Sequence, residues 1–128
     1  MNIKPRIATA TAALLAAPVV ALATAPAAHA DVDRHGTWAG SVYEFSVDRE
    51  GNGFEVSVDV DRASSGSRWK ITLWHDGQRV LRTTRTADYE GDVEVETWRR
   101  NTTGSDTFKV KIKKVGTRGA AKSTITLR

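Results

Sequence analysis

Few side chains in this sequence have types and spacing that suit catalysis. His75 stands beside Asp76, His35 lies near the N-terminal side, and several serines occur close by. A Ser-His-Asp triad needs an acid that orients the histidine and a serine on a strained elbow, but no Gly-x-Ser-x-Gly occurs. Asp76 before Gly77 is typical of a two-residue hairpin turn, which explains this acid better. Without cysteine, thiol catalysis is excluded, and we expect no enzymatic activity.

A second candidate is a cation site in the segment Asp48-Arg49-Glu50-Gly51-Asn52-Gly53. With Asp59 eleven positions after Asp48, its oxygens imitate the spacing of a calcium loop. Glu50 is longer than the usual ligand at that position, and an extended strand from Phe54 carries Asp59 away from the turn. We therefore interpret the segment as a hairpin connection, with calcium as the alternative, and we expect no metal and no cofactor.

Binding residues are better represented than catalytic ones. Trp74 and Trp98 have the outward parity of their strands, where an indole can stack on a sugar ring or contact a partner protein. The alternative is that each one covers a sheet edge or packs beneath a loop. Trp69 shares its parity with Ile71 and Leu73, which predicts a core position.

The largest patch of one sign is a row of outward lysines in the segment FKVKIKK. Such a patch attracts anionic cell-wall polymers, phospholipid head groups or nucleic acid with an affinity that falls with salt. A solvated strand face is the alternative explanation. Together with the two outward indoles, the candidate binding residues are Trp74, Trp98, Arg68, Lys70, Lys109, Lys111 and Lys113.

The first 30 residues have the pattern of a secretory signal. Lys4 and Arg6 precede an apolar run, and Ala28-His29-Ala30 offers the small residues that signal peptidase requires. Pro18 and Pro26 interrupt the run, so we expect no membrane span. Cleavage would leave residues 31–128 with 17 Lys and Arg against 15 Asp and Glu, which lowers the net charge from +4 to +2. We expect a secreted monomer, and this small charge does not favour a nucleic-acid partner.

Strict alternation of apolar and polar residues predicts strands throughout residues 31–128, with no helical periodicity. The lead-in Asp31–Thr37 is polar and is expected to be loose. The pattern predicts an immunoglobulin-like antiparallel β-sandwich of about seven strands, with a small barrel as the alternative. The predicted strands are Ser41–Asp48, Phe54–Asp61, Arg68–His75, Gln78–Thr84 at an edge, Asp92–Trp98, Thr107–Val115 and Lys122–Arg128.

The outward charges divide these strands into two groups. Strands one, two and five carry acids, whereas strands three, six and seven carry bases, and an immunoglobulin-like sandwich places these groups in opposite sheets. A meander would instead place Glu96 opposite Lys109 and Glu94 opposite Lys111. Each such pair contributes about 0.2–1 kcal/mol. Burial of a whole core at about 25 cal/mol per Å² outweighs a few of them, so we favour the sandwich.

The segments RWKITLWHDGQRV, NTTGSDTFKVKI and STITL resemble a family of small secreted actinobacterial proteins of uncharacterised function. Members of that family often have one cysteine near the first strand and another near the last. Trp38 and Ala121 stand at the matching places here, so the resemblance implies a cysteine-free variant. It implies a β-sandwich fold and export, and it implies no chemistry.

Two functions from different classes remain. The first is a non-catalytic extracellular binding module that takes an anionic cell-wall polymer, a polysaccharide or an extracellular protein through the bases and outward indoles. The alternative is a secreted inhibitor of an extracellular hydrolase, which would present the loop Arg99–Ser105 to an active site. A carbohydrate-active enzyme would need two acids that converge in a cleft, and the acids here follow open strand faces.

Overall fold

This computed structural model of the chain describes residues 31–128. The predicted signal peptide, residues 1–30, lies outside the described residues. The described part contains eight strands. They are β1 (Val32–Trp38), β2 (Ser41–Glu50), β3 (Gly53–Asp61), β4 (Arg68–His75), β5 (Gln78–Thr86), β6 (Val93–Arg100), β7 (Asp106–Lys114) and β8 (Ala121–Leu127). Within residues 31–128 there is no helix with the length and apolar character to cross a membrane.

The strands form two four-stranded antiparallel sheets, one ordered β1-β2-β3-β6 and the other β5-β4-β7-β8. The sheets pack together, which confirms the predicted all-β sandwich. The acidic and basic groups of strands lie in different sheets, as the sandwich arrangement requires. The meander is wrong: Glu94 lies opposite Asp59, whereas Lys109 lies between Trp74 and Thr124.

The core lies between the two sheets and consists of the alternate, inward side chains. Trp69 is 1% exposed, as its parity predicts, and its indole Nε1 donates a hydrogen bond to Ser67 Oγ at 2.9 Å. Phe54 of one sheet contacts Phe108 of the other edge-to-face, with ring centroids 5.2 Å apart. Such contacts across the interior add to the burial of apolar surface that holds the sheets together.

The polar lead-in is not loose, because it forms β1 and pairs with β2 along its whole length. Its exposed polar residues hide the alternation from the sequence. The strand is held by Trp38, which meets the buried Trp69 edge-to-face at 6.1 Å. At Gly36 the Tyr43 ring lies so close that an added Cβ would come 2.5 Å from its Oη, so a larger residue here would displace the end of the Tyr43 side chain. The sandwich therefore has one strand more than the pattern indicates.

The predicted hairpin at Asp76-Gly77 is present. The two residues connect β4 to β5, and both have positive φ, 51° at Asp76 and 86° at Gly77. Two successive positive φ angles match the twist of antiparallel strands in a two-residue loop. The Asp76 carboxylate Oδ1 also accepts a hydrogen bond from the Thr107 backbone N–H at 2.8 Å. This turn is therefore fixed both by its own conformation and by the neighbouring β7.

Gly53 has a structural role beyond the turn that precedes it. A Cβ at this position would lie 2.3 Å from Cζ2 of Trp98 and 2.4 Å from the carbonyl oxygen of Arg99. The Trp98 indole covers the bare backbone of the neighbouring strand, and its Nε1 lies 3.5 Å from the Glu50 carbonyl oxygen. An aromatic side chain that covers a strand glycine in this way supplies packing that the glycine lacks.

Replacement of Gly53 by alanine should therefore displace the indole and destabilise the domain by about 1–3 kcal/mol, the usual range for overpacking. Urea denaturation followed by Trp fluorescence would measure this loss. Gly104→Ala is a comparison in an open loop, where an added Cβ meets nothing within 4 Å, although its positive φ carries its own strain. Equal stability of Gly53→Ala and the parent protein would show that the indole moves without cost.

Candidate binding face

The outward side chains of the sheet β5-β4-β7-β8 form one continuous cationic surface. Lys70 lies directly opposite Lys113 on β7, and Lys111 lies directly opposite Lys122 on β8. Within residues 68–127, no outward position of these four strands is an aspartate or a glutamate. We call this surface the basic face, and its members are Lys70, Thr72, Trp74, Arg79, Arg82, Lys109, Lys111, Lys113 and Lys122.

Trp74 is the aromatic centre of the basic face. It is half-buried, and the Lys109 ammonium lies 5.0 Å from its ring centroid, within the range of a cation–π interaction. The indole borders two shallow depressions, one of about 350 Å³ and one of about 270 Å³. The larger is lined by Lys70, Thr72, Trp74, Arg79, Arg82, Lys111 and Lys113, and the smaller by Trp74, Gly77, Thr107, Lys109 and Thr124. A ligand that crosses this region meets positive charge on both sides of a flat apolar ring.

A further depression of about 410 Å³ extends the surface toward the β7–β8 turn, and Lys111, Lys113 and Lys122 line it. The Lys113 ammonium donates hydrogen bonds to the carbonyl oxygens of Thr117 and Gly119 in that turn, at 2.5 and 3.4 Å. These bonds hold one cation in place, whereas Lys122 is exposed at the surface. The basic face therefore extends across the sheet from β5 to β8 as a shallow, solvent-exposed surface.

The structure brings most of the predicted binding residues together. Trp74, Lys70, Lys109, Lys111 and Lys113 all lie on the basic face. The other two do not border its depressions. Arg68 is exposed at the first position of β4, and Trp98 belongs to the opposite sheet, where it covers Gly53 and is 45% exposed.

Arg79 and Arg82 belong to the basic face, although the sequence does not single them out. The register of β5 against β4 shifts between Leu73 and Trp74, so that Leu73 pairs with Leu81 but Trp74 pairs with Arg79. A bulge of this kind inserts one residue and breaks the alternation on which a parity argument depends. In the sequence, the bulge is indicated only by the weak alternation of apolar and polar residues in the segment Gln78–Thr84.

The outer face of the sheet β1-β2-β3-β6 has the opposite sign. Glu44, Asp59 and Glu94 lie side by side on three neighbouring strands, and His35 on β1 is opposite Glu44, with 3.8 Å between Nε2 and Oε2. We call this surface the acidic face, and its members are Glu44, Asp48, Glu55, Asp59, Asp61, Glu94 and Glu96. Asp48 and Asp59 lie several pairs apart along β2 and β3, so the calcium-loop spacing does not bring them together.

Two acids of this face have a raised pKa, first because they are partly buried and second because other acids lie near them. Partial burial raises the pKa of Asp48 to about 6, and repulsion by Asp31, Asp33, Glu55 and Glu44 adds to the shift. The pKa of Glu55 is raised for the same reasons, by desolvation first and then by Glu96 and Glu50.

His75, which stands beside Asp76 in the sequence, belongs to a buried hydrogen-bond network. The ring of His75 stacks on Phe108 with centroids 4.3 Å apart, and its Nε2 lies 2.7 Å from Oδ1 of the buried Asp106. The same oxygen accepts hydrogen bonds from the backbone N–H and the hydroxyl of Thr102. That hydroxyl contacts Asp76 and Asp106 rather than the imidazole, so the geometry is not that of an activated nucleophile.

The sequence matches no protein-family model. Comparison with curated proteins likewise finds no match at a significant level. The features of the described residues that bear on function are the two charged faces and the hydrogen-bond network at the loop Arg99–Ser105.

The raised pKa of Asp48 predicts a pH-dependent stability. The folded state binds the proton more tightly than the unfolded chain, so raising the pH from 3.8 to about 6 removes stability. The side chain of the Asp48→Asn variant cannot ionise, so this variant does not lose this stability as the pH rises. The Asn variant should therefore gain stability relative to the parent between pH 4 and pH 7, as measured by urea denaturation at both values. A difference between the two proteins that stays constant with pH would contradict the assigned shift.

Proposed function

We propose that the protein is a secreted, non-catalytic binding module that takes an anionic polymer of the cell wall, or an acidic polysaccharide, on its basic face. The observation that carries the proposal is the arrangement of lysines and arginines around Trp74, without an outward carboxylate on the same four strands. Export rests on the pattern of residues 1–30, and the resemblance to small secreted actinobacterial proteins supports it.

The pairing of like charges supports a ligand that carries the opposite charge. Lys70–Lys113 and Lys111–Lys122 are directly opposite pairs, and such pairs destabilise a sheet by about 0.2–1 kcal/mol each. A polyanion between them reverses the sign of this interaction and releases its own counterions. The lysines that repel each other in the free domain are therefore both attracted to the bound polyanion in the complex.

The shape of the surface favours a chain over a small molecule. The three depressions are shallow and adjoin one another along the sheet, whereas sites for small ligands are concave and enclose most of the ligand. Along β7 the alternate lysines repeat at about 6.7 Å, and neighbouring strands lie about 4.8 Å apart. A linear polymer with regularly repeated negative charges can contact several of these cations at once, with the indole beneath a sugar or polyol unit.

Binding to purified teichoic acid and polygalacturonate should be measured by Trp fluorescence over a salt series, with neutral dextran as the uncharged comparison. Lys111→Gln should weaken binding several-fold and lower the slope of log K against log salt by somewhat less than one, because one contact with an anionic group of the polymer is lost. Trp74→Leu should weaken binding and remove most of the fluorescence change.

The matched control is Arg118→Gln, which removes a cation from the exposed β7–β8 turn outside the basic face. It should bind like the parent protein. Binding to the anionic polymers that persists unchanged in 0.5 M NaCl, or an equal loss in Arg118→Gln and Lys111→Gln, would contradict the proposal.

One observation favours the second candidate, an inhibitor of an extracellular hydrolase. The loop Arg99–Ser105 exposes residues 101–105 yet is fixed from both sides. The Asn101 N–H donates to the Asn52 carbonyl oxygen at 3.0 Å, and the Thr102 hydroxyl contacts Asp76 and Asp106. A loop held in one conformation before binding loses less entropy in a complex.

An inhibitor should abolish the activity of its target hydrolase at one equivalent. A panel of extracellular proteases and glycosidases would be tested, with Thr102→Val to release the loop and Thr103→Val as the neighbouring control. Only the Thr102 variant should inhibit less well. If no enzyme in the panel loses activity at tenfold excess of the protein, this second function is wrong.

A further inference from the structure

The two outer faces of the sandwich have opposite charge, and the core separates them. If Asp59 is left out of the comparison, the ion pairs within 4.0 Å among residues 31–128 are made by His35 and His75. With the same exception, no lysine or arginine in this part of the chain brings a side-chain nitrogen that close to a carboxylate. Arg100, at the last outward position of β6, is a cation on the acidic sheet itself. Apart from it, the acids of the acidic face and the cations of the basic face lie on opposite sides of the domain, so within one chain they cannot meet.

We propose that a second copy of this chain docks its acidic face on the basic face of the first, so that copies stack head to tail. The proposal rests on charge complementarity between the two faces and is independent of the polymer-binding function. It also revises the expectation of a simple monomer, since the monomer would be the form at high salt or low concentration.

The two faces match in spacing as well as in sign. Both are outer surfaces of four-stranded antiparallel sheets, so their charges lie on grids with the same repeats, about 4.8 Å across strands and about 6.7 Å along them. The row Glu44, Asp59 and Glu94 spans three strands of one sheet, and Arg82, Lys111 and Lys122 share one row of the other. Several opposite charges can therefore face one another at once.

Repulsion between neighbouring acids is the second cause, after desolvation, of raised pKa values on and beside the acidic face. Desolvation and neighbouring acids raise the pKa of Asp48 and of Glu55, and the pKa of Asp92 beside Asp61 is raised by desolvation and by that neighbour. Repulsion among these carboxylates persists in the free chain. An approaching cationic sheet relieves this repulsion.

The size of the faces predicts a weak and reversible contact. Four strands about 4.8 Å apart and about eight residues long give about 500 Å² per face, or about 1,000 Å² buried in total, which is the low end for a specific interface. The contact joins two different surfaces, so each stack keeps a free acidic face at one end and a free basic face at the other. The stack can therefore grow, and its length should fall steeply with salt.

Sedimentation velocity over a concentration series would test the stacking in 20 mM and in 500 mM NaCl. We expect species larger than the monomer at low salt that increase with protein concentration, and monomer alone at high salt. Monomer at every concentration up to millimolar in 20 mM NaCl would overturn the proposal.

Charge reversal on one face at a time gives the sharper test. Lys111→Glu alters the basic face and leaves the acidic face intact, whereas Glu94→Lys does the reverse. Each variant alone should self-associate at least about fivefold more weakly than the parent. An equimolar mixture should regain association, because the intact acidic face of one variant can dock on the intact basic face of the other. A mixture that remains monomeric, under conditions in which the parent stacks, would overturn the proposed orientation.

Two control variants change charge equally outside the faces. Arg118→Glu lies in the β7–β8 turn and Glu90→Lys in the exposed β5–β6 loop, and both should stack like the parent. Equal loss in these controls would mean that net charge, not the faces, governs association. Polymer binding distinguishes the two proposals, because Glu94→Lys should lose stacking and keep polymer binding. Failure of the polymer assay alone leaves stacking intact, and failure of stacking alone leaves the polymer proposal intact.

Discussion

The structure depends on a single apolar layer between two sheets. The inward positions of the strands include Phe45, Phe54, Trp69 and Phe108, all at most 1% exposed, and the chain contains no cysteine to form a disulfide. A domain of about 100 residues buries enough surface in this way to fold, but with a modest margin. Since cohesion comes from the inner side chains, the outer side chains are free to carry whatever charge a function requires.

The outer charges have a pattern that stability alone does not explain. A surface of mixed sign gives solubility with favourable cross-strand pairs, whereas each face here holds like charges in directly opposite positions. Several such pairs at about 0.2–1 kcal/mol are appreciable beside a net stability of about 5–15 kcal/mol. The chain passes from one sheet to the other after β3, after β5 and after β6, so this sorting requires the sign of the outward charge to change at each of these crossings. A ligand or partner of opposite charge explains it better than chance.

Much of the architecture follows from a period of two residues, because alternation is a local property of the sequence. It predicts the sandwich and the buried Trp69. The sorting of charged strands into separate sheets follows instead from the strand grouping of an immunoglobulin-like sandwich, which is favoured over a meander. The Asp76-Gly77 hairpin is equally local, since its residue types fix the backbone. The basic face is predictable to the same extent, through Trp74 and the alternate lysines of β7.

What the sequence does not predict depends on contacts between distant segments. β1 has too many exposed polar residues to show its alternation, and it is held by pairing with β2 and by the packing of Trp38 on the distant Trp69. The role of Trp98 depends on Gly53, which is distant in the chain but lies on the neighbouring strand. The register shift at Trp74 is an exception, because it lies within the β4–β5 hairpin; the sequence does not show it because a bulge breaks the alternation there, and it places Arg79 on the basic face.

The hairpin network holds one end of the sandwich together through hydrogen bonds. His75 and Asp106 are buried beneath the β4–β5 turn, and Thr102 links that network to the next loop, so the end of the sandwich is fixed by hydrogen bonds.

A rigid sheet presents its charges at constant spacing, which suits both a repetitive polymer and a second copy. The two proposed partners would compete for the same cations, but they differ in reach. A second copy contacts one face of about 500 Å², whereas a polymer can contact many modules along its length and gains from multivalency. Polymer should therefore displace the stack, and stacking would be confined to protein that has found no polymer.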